Sequence, residues 1–179
     1  MPIPKCPWQF VGMDFTGPLV EVEGYDYILL VICRFTGMVH LIPTNTRISA
    51  KDVAKIYIKE IIRLHGILES VVSDRNTNFN SEFWRELSSS LRQQLLMSTA
   101  YHPQTDGSLE RGIQSMSQIL CVIVNDYQTN WVDQLPLVEF AMNSSISLSM
   151  GYAPFESNYG WLPCLMQGIK TEPPHECNN

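Results

Sequence analysis

The sequence predicts an α/β fold in which helices cover both faces of a five-stranded mixed sheet. The first part of the chain alternates apolar runs with short turns, which is typical of antiparallel strands joined by hairpins. The later part alternates short β-type stretches with apolar residues at helical spacing, which is typical of crossovers to parallel strands. The chain has 179 residues, 45% of them hydrophobic, so it can bury the core of one domain.

Three antiparallel strands are expected first, followed by two parallel ones. The first strand is expected in the segment from Trp8 to Leu19, which is mixed apolar and contains one acid, Asp14. The segment YDYILLVIC predicts a central strand that is covered on both faces, and MVHLIP predicts the third strand. The further strands are expected from Leu68 to Ser73 and from Gln94 to Ser98.

Four helices complete the predicted fold. Ser49 is the expected N-cap of the first, because apolar residues recur at helical spacing after it. The predicted spans are Ala50 to Leu64, Ser81 to Leu91, a helix that Glu110 opens and that runs to Tyr127, and Trp131 to Ser145.

Composition excludes several classes of protein. The formal net charge of -6 argues against a binder that holds nucleic acid by charge alone. The five cysteines are scattered and form no C-x-x-C pair, so neither a disulfide framework nor a zinc knuckle is expected, and a reducing intracellular compartment is favoured. The longest apolar run, Tyr27 to Cys33, is too short to span a bilayer, so we expect a soluble protein without a membrane partner.

Three acids stand at positions suited to a site. Asp14 lies between apolar neighbours, so its carboxylate reaches water only if it points into a cleft. Asp74 follows an apolar strand, and Glu110 opens a helix after a glycine-containing loop. Taken singly, each is more simply a turn acid, a capping acid or an acid that complements a helix dipole.

Taken together, the acids carry a resemblance to a known family. They lie in the blocks GMDFTGPL, VVSDRNTNFNSEFW and AYHPQTDGSLERG, and 35 residues separate Asp74 from Glu110. These blocks resemble the signatures of the integrase catalytic core of gypsy-type long-terminal-repeat retrotransposons, with its D, D-35-E acids. The resemblance covers nearly the whole chain, including NDYQTNWVDQLPLVEFAMNSS and GYAPFESNYG. It implies a ribonuclease H-like fold with a catalytic core over residues 1–168, while we expect residues 169–179 to be a disordered tail.

The resemblance implies DNA integration by a nuclear polynucleotidyl transferase. Asp14, Asp74 and Glu110 are carried over as catalytic acids and as ligands of two Mg²⁺ or Mn²⁺ ions, with Asp14 as the bridging ligand. Phosphodiester transfer needs an activated hydroxyl, neutralised phosphoryl charge and a stabilised leaving oxygen, all of which two divalent ions supply. Hard cations prefer oxygen ligands, and carboxylates provide them.

The expected partner is DNA, both element ends and target, with RNA as a further candidate and a homodimer or larger homo-oligomer as the assembly. The resemblance implies DNA contacts from Gln104 and Arg111, although a local ion pair is an equal reading of Arg111. Lys51 and Lys55 belong to a basic stripe on the first predicted helix and are further candidates for DNA contacts. Gly107 is the expected hinge of a loop that brings Glu110 to the other acids.

The sequence departs from the family pattern at three places. Gln114 and Cys121 stand where the family usually has basic residues, and Asn76 stands where it often has an acid. Losing two cations weakens DNA binding, because phosphate contacts dominate affinity. The zinc-binding and C-terminal domains of a full integrase are not found in the sequence, so we expect an isolated core.

Two alternatives stay open. One is a catalytically weak or inactive relic, or co-opted core, that binds nucleic acid or protein without chemistry. The other is a ribonuclease H acting on RNA–DNA hybrids, which is disfavoured because neither Asp126 nor Asp133 lies in a motif that would provide a fourth carboxylate.

Overall fold

The N-terminal part of the chain forms three antiparallel strands: β1 (Phe10–Thr16), β2 (Tyr27–Cys33) and β3 (Val39–Thr44). They belong to a computed structural model that describes residues 4–67, 70–73, 82–87, 89, 107–147 and 150–163. All three predicted strands are confirmed, with ends that differ by a few residues.

A fourth strand, β4 (Ser70–Ser73), lies parallel to β1 on the side opposite β2. The order of the described strands is therefore β3-β2-β1-β4, with β1 and β2 in the interior. β4 confirms the first predicted crossover strand. The second, Gln94 to Ser98, lies outside the described residues.

One helical layer packs on the first face of the sheet. It contains α1 (Ala50–Tyr57), a π-helical turn (Ile58–Ile62) and α2 (Arg63–His65), which follow one another without a break, and residues 82–87 form α3. The Ser49 side chain accepts a hydrogen bond from the Asp52 N–H, which confirms the predicted N-cap. The π-helical turn was not expected, because apolar spacing does not distinguish it from regular helix.

The second layer packs on the other face. It contains α4 (Gly107–Ile123) and α5 (Trp131–Ser144), while the short α6 (Pro154–Tyr159) packs beside α5 and reaches the core of the first face through Phe155. α4 ends four residues before the predicted Tyr127. The Asn125 side chain accepts a hydrogen bond from the Thr129 N–H, and the Asn130 side chain accepts one from the Asn125 N–H. These backbone N–H groups donate to side chains instead of to the carbonyls of the preceding helical turn, so the helix ends before them.

The two layers produce two hydrophobic cores, one on each face of the sheet. Alternate residues of β2 divide between them: Leu29 and Val31 face α1, whereas Ile28, Leu30 and Ile32 face α4 and α5. This confirms the predicted sheet with helices on both faces. No helix in the described part of the chain is both long enough and apolar enough to cross a bilayer.

Candidate functional site

Asp14 lies in the interior strand β1 on the face that α4 covers. It pairs across the strands with Leu30, which belongs to the core beneath α4 and α5. Side chains of directly paired residues point to the same face of a sheet. The Asp14 side chain is half-buried, and its Oδ1 accepts a hydrogen bond from the Phe15 N–H at 2.7 Å.

Glu110 lies in the first turn of α4, and its side chain is exposed. The preceding residue, Leu109, is 7% exposed and packs into the core against the sheet. Met116 and Leu120 continue the same buried stripe along the helix. The helix therefore anchors itself to the sheet through the residue next to Glu110.

A close contact joins the two elements that carry these acids. A Cβ placed on Gly12 of β1 would lie 2.7 Å from Leu109 Cγ, so the first turn of α4 sits directly on the strand there. Gly12 and Asp14 are two residues apart and point to the same face. The structure thus brings Asp14 and the turn of α4 that carries Glu110 to one face of the sheet.

β4 ends beside the middle of β1, next to Asp14. Its last residue, Ser73, pairs with Met13, the residue before Asp14. Asp74 is next in the sequence and lies outside the described residues, as does Gln104. Of the three predicted acids, the structure therefore describes two.

The described residues contain no group of three or more His, Cys, Asp or Glu side chains arranged to hold a metal ion. The chemistry of the donors nevertheless suits a hard divalent cation, since Asp14 and Glu110 offer carboxylate oxygens on one face. A third carboxylate from position 74 would complete the predicted set.

The predicted DNA-binding residues fall on two helices. Arg111 is exposed and follows Glu110 on α4, whereas Lys51 and Lys55 are exposed on α1, across the sheet from α4. β3 runs parallel to β1, because both are antiparallel to β2, so α1 begins at the end of the sheet where β1 stops. Lys55 Nζ lies 3.0 Å from Asp52 Oδ1, which partly offsets its charge.

The predicted hinge coincides with the start of a helix. Gly107 is the first residue of α4, and residues 101–106, where the sequence predicts a loop, lie outside the described residues. Gln114 and Cys121 are both exposed on α4, so the two departures from the family pattern face solvent. Neither carries a cationic side chain for a phosphate.

Sequence reasoning missed a polar cluster at the outer edge of β3. His40 Nδ1 lies 2.9 Å from Glu139 Oε1, His40 Nε2 lies 2.8 Å from His65 Nε2, and Trp8 stacks on His65 with ring centroids 3.7 Å apart. Burial, and then the charge of His40, lowers the pKa of His65 to about 4. Local patterns could not find this cluster, because its members come from four separate segments of the chain.

Two open grooves of about 440 and 340 Å³ run along the same edge of β3. Leu41, Pro43 and Glu139 line both of them, and neither includes Asp14 or Glu110. The two grooves are therefore separate from the candidate acids.

Comparison with known proteins gives relatives for nearly the whole chain, although no family model matches. The chain is 30% identical over 166 residues to the Transposon Tf2-3 polyprotein of Schizosaccharomyces pombe, and the same values hold for the Tf2-4 polyprotein. The matched region covers 92% of this chain. It spans only 12% of the length of these polyproteins.

Solved structures with the same fold come from viral integrases. The HTLV-2 integrase catalytic core domain in complex with magnesium has a TM-score of 0.59 at 15% identity, covering 87% of this chain and 99% of that one. The catalytic core domain of BIV integrase has a TM-score of 0.58 at 21% identity, covering 83% and 92%. At these identities the likeness establishes the fold, which is that of integrase catalytic cores and is ribonuclease H-like.

Proposed function

The chain belongs to the integrase-like cores of long-terminal-repeat retrotransposons, and we infer from this that it is a metal-dependent polynucleotidyl transferase of DNA integration. In the proposed reaction, water first attacks a phosphodiester near the end of the element DNA and frees a 3′-hydroxyl. That hydroxyl then attacks a phosphodiester of the target, which joins the strands and releases one target 3′-oxygen.

The observation that carries this proposal is the common position of Asp14 and Glu110. They are 96 positions apart in the sequence, yet they lie on one face of the sheet, linked by the contact of Gly12 with Leu109. β4 ends at Ser73, which pairs with Met13, and Asp74 follows Ser73 in the sequence. The helix dipole accounts for an acid in the first turn of α4. It does not account for a second carboxylate, Asp14, on the same face of the sheet, which a metal site requires.

We propose that Asp14, Asp74 and Glu110 hold divalent ions, Mg²⁺ or Mn²⁺. When bound, such ions make an attacking hydroxyl nucleophilic and neutralise charge on the phosphoryl oxygens. Asp14 sits on an interior strand, so its position is fixed by the sheet, and Glu110 is fixed by the packing of α4. Arg111, exposed beside Glu110, would hold a DNA phosphate near the acids.

The proposed partners are the element DNA ends and target DNA, met in the nucleus by at least a dimer of this chain. One structural relative is an intasome, that of simian T-cell lymphotropic virus, and the HTLV-2 core is described in dimeric and trimeric forms. Joining two DNA ends needs two sites, which is the reason to expect more than one copy.

Strand transfer on element-end oligonucleotides with Mn²⁺ or Mg²⁺ tests the proposal. We expect Asp14→Asn, Asp74→Asn and Glu110→Gln each to lower the rate by more than about a hundredfold, because metal ligands matter at least as much as the groups that orient them. Asp126→Asn is the matched control, since Asp126 is an exposed acid between α4 and α5. If the three variants kept the rate of the control, the proposed carboxylate site would be wrong.

The exposed, uncharged Gln114 and Cys121 favour a second candidate, a core that binds nucleic acid or protein without chemistry. Calorimetric titration of Mn²⁺ into the unaltered chain and into Asp14→Asn separates the two. Metal binding that Asp14→Asn abolishes supports the enzyme. Flat traces for both proteins support the binding module.

A further inference from the structure

We propose that Gly12 and Leu109 are a positioning pair that sets the distance between the Asp14 and Glu110 carboxylates. Neither residue has a side-chain group that binds a metal ion or a DNA phosphate, so the proposed role is to set a distance. The inference rests on the proposed function, because it concerns the same acids.

The contact leaves no space for a side chain on the strand. A Cβ built on Gly12 would lie 2.7 Å from Leu109 Cγ, 2.9 Å from Cδ1 and 3.0 Å from Cδ2. Carbon atoms in ordinary contact are about 3.5–4.0 Å apart. All three outer carbons of the leucine are too close, so turning the end of its side chain does not relieve the clash, and the first turn of α4 would have to rise by about 1 Å.

The clash would act where the acids are. Gly12 precedes Asp14 by two residues on the same strand face, and Leu109 directly precedes Glu110. A helix turn moves as a unit, because its backbone hydrogen bonds fix each residue to the next turn. A rise at Leu109 is therefore a rise at Glu110, whereas the interior strand keeps Asp14 in place. Metal–oxygen distances tolerate only about 0.2 Å of error.

A second glycine in α4 provides a matched control. A Cβ built on Gly112 would lie 3.6 to 3.8 Å from Leu30 and Ile32 side-chain carbons, which is ordinary contact. Gly112 is buried, like Gly12, and belongs to the same helix–sheet interface. Gly112→Ala therefore adds the same methyl group to this interface without displacing α4.

Calorimetric titration of Mn²⁺ tests the pair, at a temperature where circular dichroism shows every variant folded. We expect Gly12→Ala to weaken Mn²⁺ binding about tenfold or more, as changes in orienting groups around metals do. Gly112→Ala should stay within about twofold of the unaltered chain, since its methyl group has room. Equal affinities for Gly12→Ala and Gly112→Ala would overturn the positioning role.

The double variant Gly12→Ala with Leu109→Ala distinguishes positioning from mere loss of stability. It removes the clashing side chain, so Mn²⁺ affinity should recover from the Gly12→Ala value even though a buried leucine is lost. A purely structural role would lower the free energy of unfolding of these variants but leave the Mn²⁺ affinity of each folded variant unaltered. If Gly12→Ala does not fold, the double variant alone decides. A Mn²⁺ affinity near that of the unaltered chain supports the positioning pair, and an affinity about tenfold weaker overturns it.

The two proposals fail in different ways. If the unaltered chain and Asp14→Asn give the same Mn²⁺ trace, the carboxylate site itself is wrong. If Asp14→Asn abolishes binding while Gly12→Ala does not change it, the site stands and only the positioning pair is wrong.

Discussion

His40 is the residue through which the two helical layers meet at the sheet edge. Its Nδ1 bonds to Glu139 of α5, on one face of the sheet, and its Nε2 bonds to His65 of α2, on the other. An ionised carboxylate only accepts hydrogen bonds, so His40 Nδ1 carries the proton in the first bond. With neutral rings, His65 Nε2 then donates to His40 Nε2. If both rings were protonated, both Nε2 atoms would be donors and the hydrogen bond between them would be lost.

Stability should therefore fall as the solution becomes acidic. The pKa of His65 is about 4 in the folded chain, whereas its ordinary value, which applies to the unfolded chain, is 6.5. Between pH 6.5 and 4, His65 therefore binds a proton in the unfolded chain but stays neutral in the folded chain. The free energy of unfolding decreases as pH falls from 6.5 towards 4, and this contribution changes no further below 4.

Urea unfolding of the unaltered chain and of His65→Gln at several pH values checks this prediction. Glutamine keeps an N–H that can donate to His40 but does not titrate, so the variant should lose less stability between pH 6.5 and 4. The same pH dependence in both proteins would contradict the assignment to His65.

At the scale of elements, α5 protects the edge of the sheet. β3 is an edge among the described strands, and the Cys33 N–H donates to the Met38 carbonyl, so alternate residues from Val39 onward turn their backbone groups outward. Asn143 Oδ1 accepts from the Val39 N–H at 2.8 Å, and Glu139 Oε2 accepts from the Leu41 N–H at 2.8 Å.

The next outward position, Pro43, has no N–H to offer. These three features block the addition of another strand, which is the main hazard of an open sheet edge.

Asn143→Ala should destabilise the fold. Asn143 is fully buried, and its Nδ2 also donates to the Val39 carbonyl at 2.9 Å, so the variant leaves two buried backbone groups without their partner. We expect a loss of about 1–3 kcal/mol in the free energy of unfolding. Leu137→Ala, at a 60% exposed position of the same helix, should change it by less than about 0.5 kcal/mol. If chemical denaturation showed that the two variants lose equal free energy of unfolding, the role of Asn143 in satisfying the Val39 backbone groups would be contradicted.

At the scale of the whole molecule, charge limits DNA binding. The chain carries a net charge of -6, and acids partly neutralise the basic stripe that runs from α1 through the π-helical turn to α2. Lys55 pairs with Asp52, and Lys59 and Arg63 lie beside Glu60. On α4, Arg111 is the only Lys or Arg in the sequence of the helix. Few cations are thus available to replace the counterions that surround DNA.

Gln114→Lys should strengthen DNA binding and steepen its dependence on salt. Gln114 is exposed one turn beyond Arg111, so a lysine there would add one phosphate contact beside the acids. The slope of log affinity against log salt should become more negative by about 0.9.

Fluorescence anisotropy with a labelled duplex, across a salt series, measures this slope. Leu137→Lys makes the same change in net charge at an exposed position on α5 and is the control. If both variants changed the slope equally, the effect would come from overall charge and not from a DNA path along α4.

The sequence by itself determined most of the described secondary structure and the choice of the candidate acids. Apolar periodicity reports which side of an element is buried, which is why β1 to β4, α1 and α5 were predicted nearly where they lie. The blocks around Asp14, Asp74 and Glu110 led to the integrase-like cores, because a phosphoryl-transfer site needs particular residue types at nearly fixed spacing. The tertiary structure confirms these elements, whereas the roles of the acids stay a prediction.

Only the tertiary structure decided which of these residues meet. Leu109 packs against Gly12, and this contact links the elements that carry Asp14 and Glu110. The contact depends on how closely α4 packs on β1, and a glycine in a strand sequence does not show which residue will contact it. The His40, His65 and Glu139 cluster was equally hidden, since its members are brought together by the wrapping of two helical layers around one sheet edge. Periodicity is a local property of the chain, whereas these contacts depend on the relative placement of elements distant in sequence.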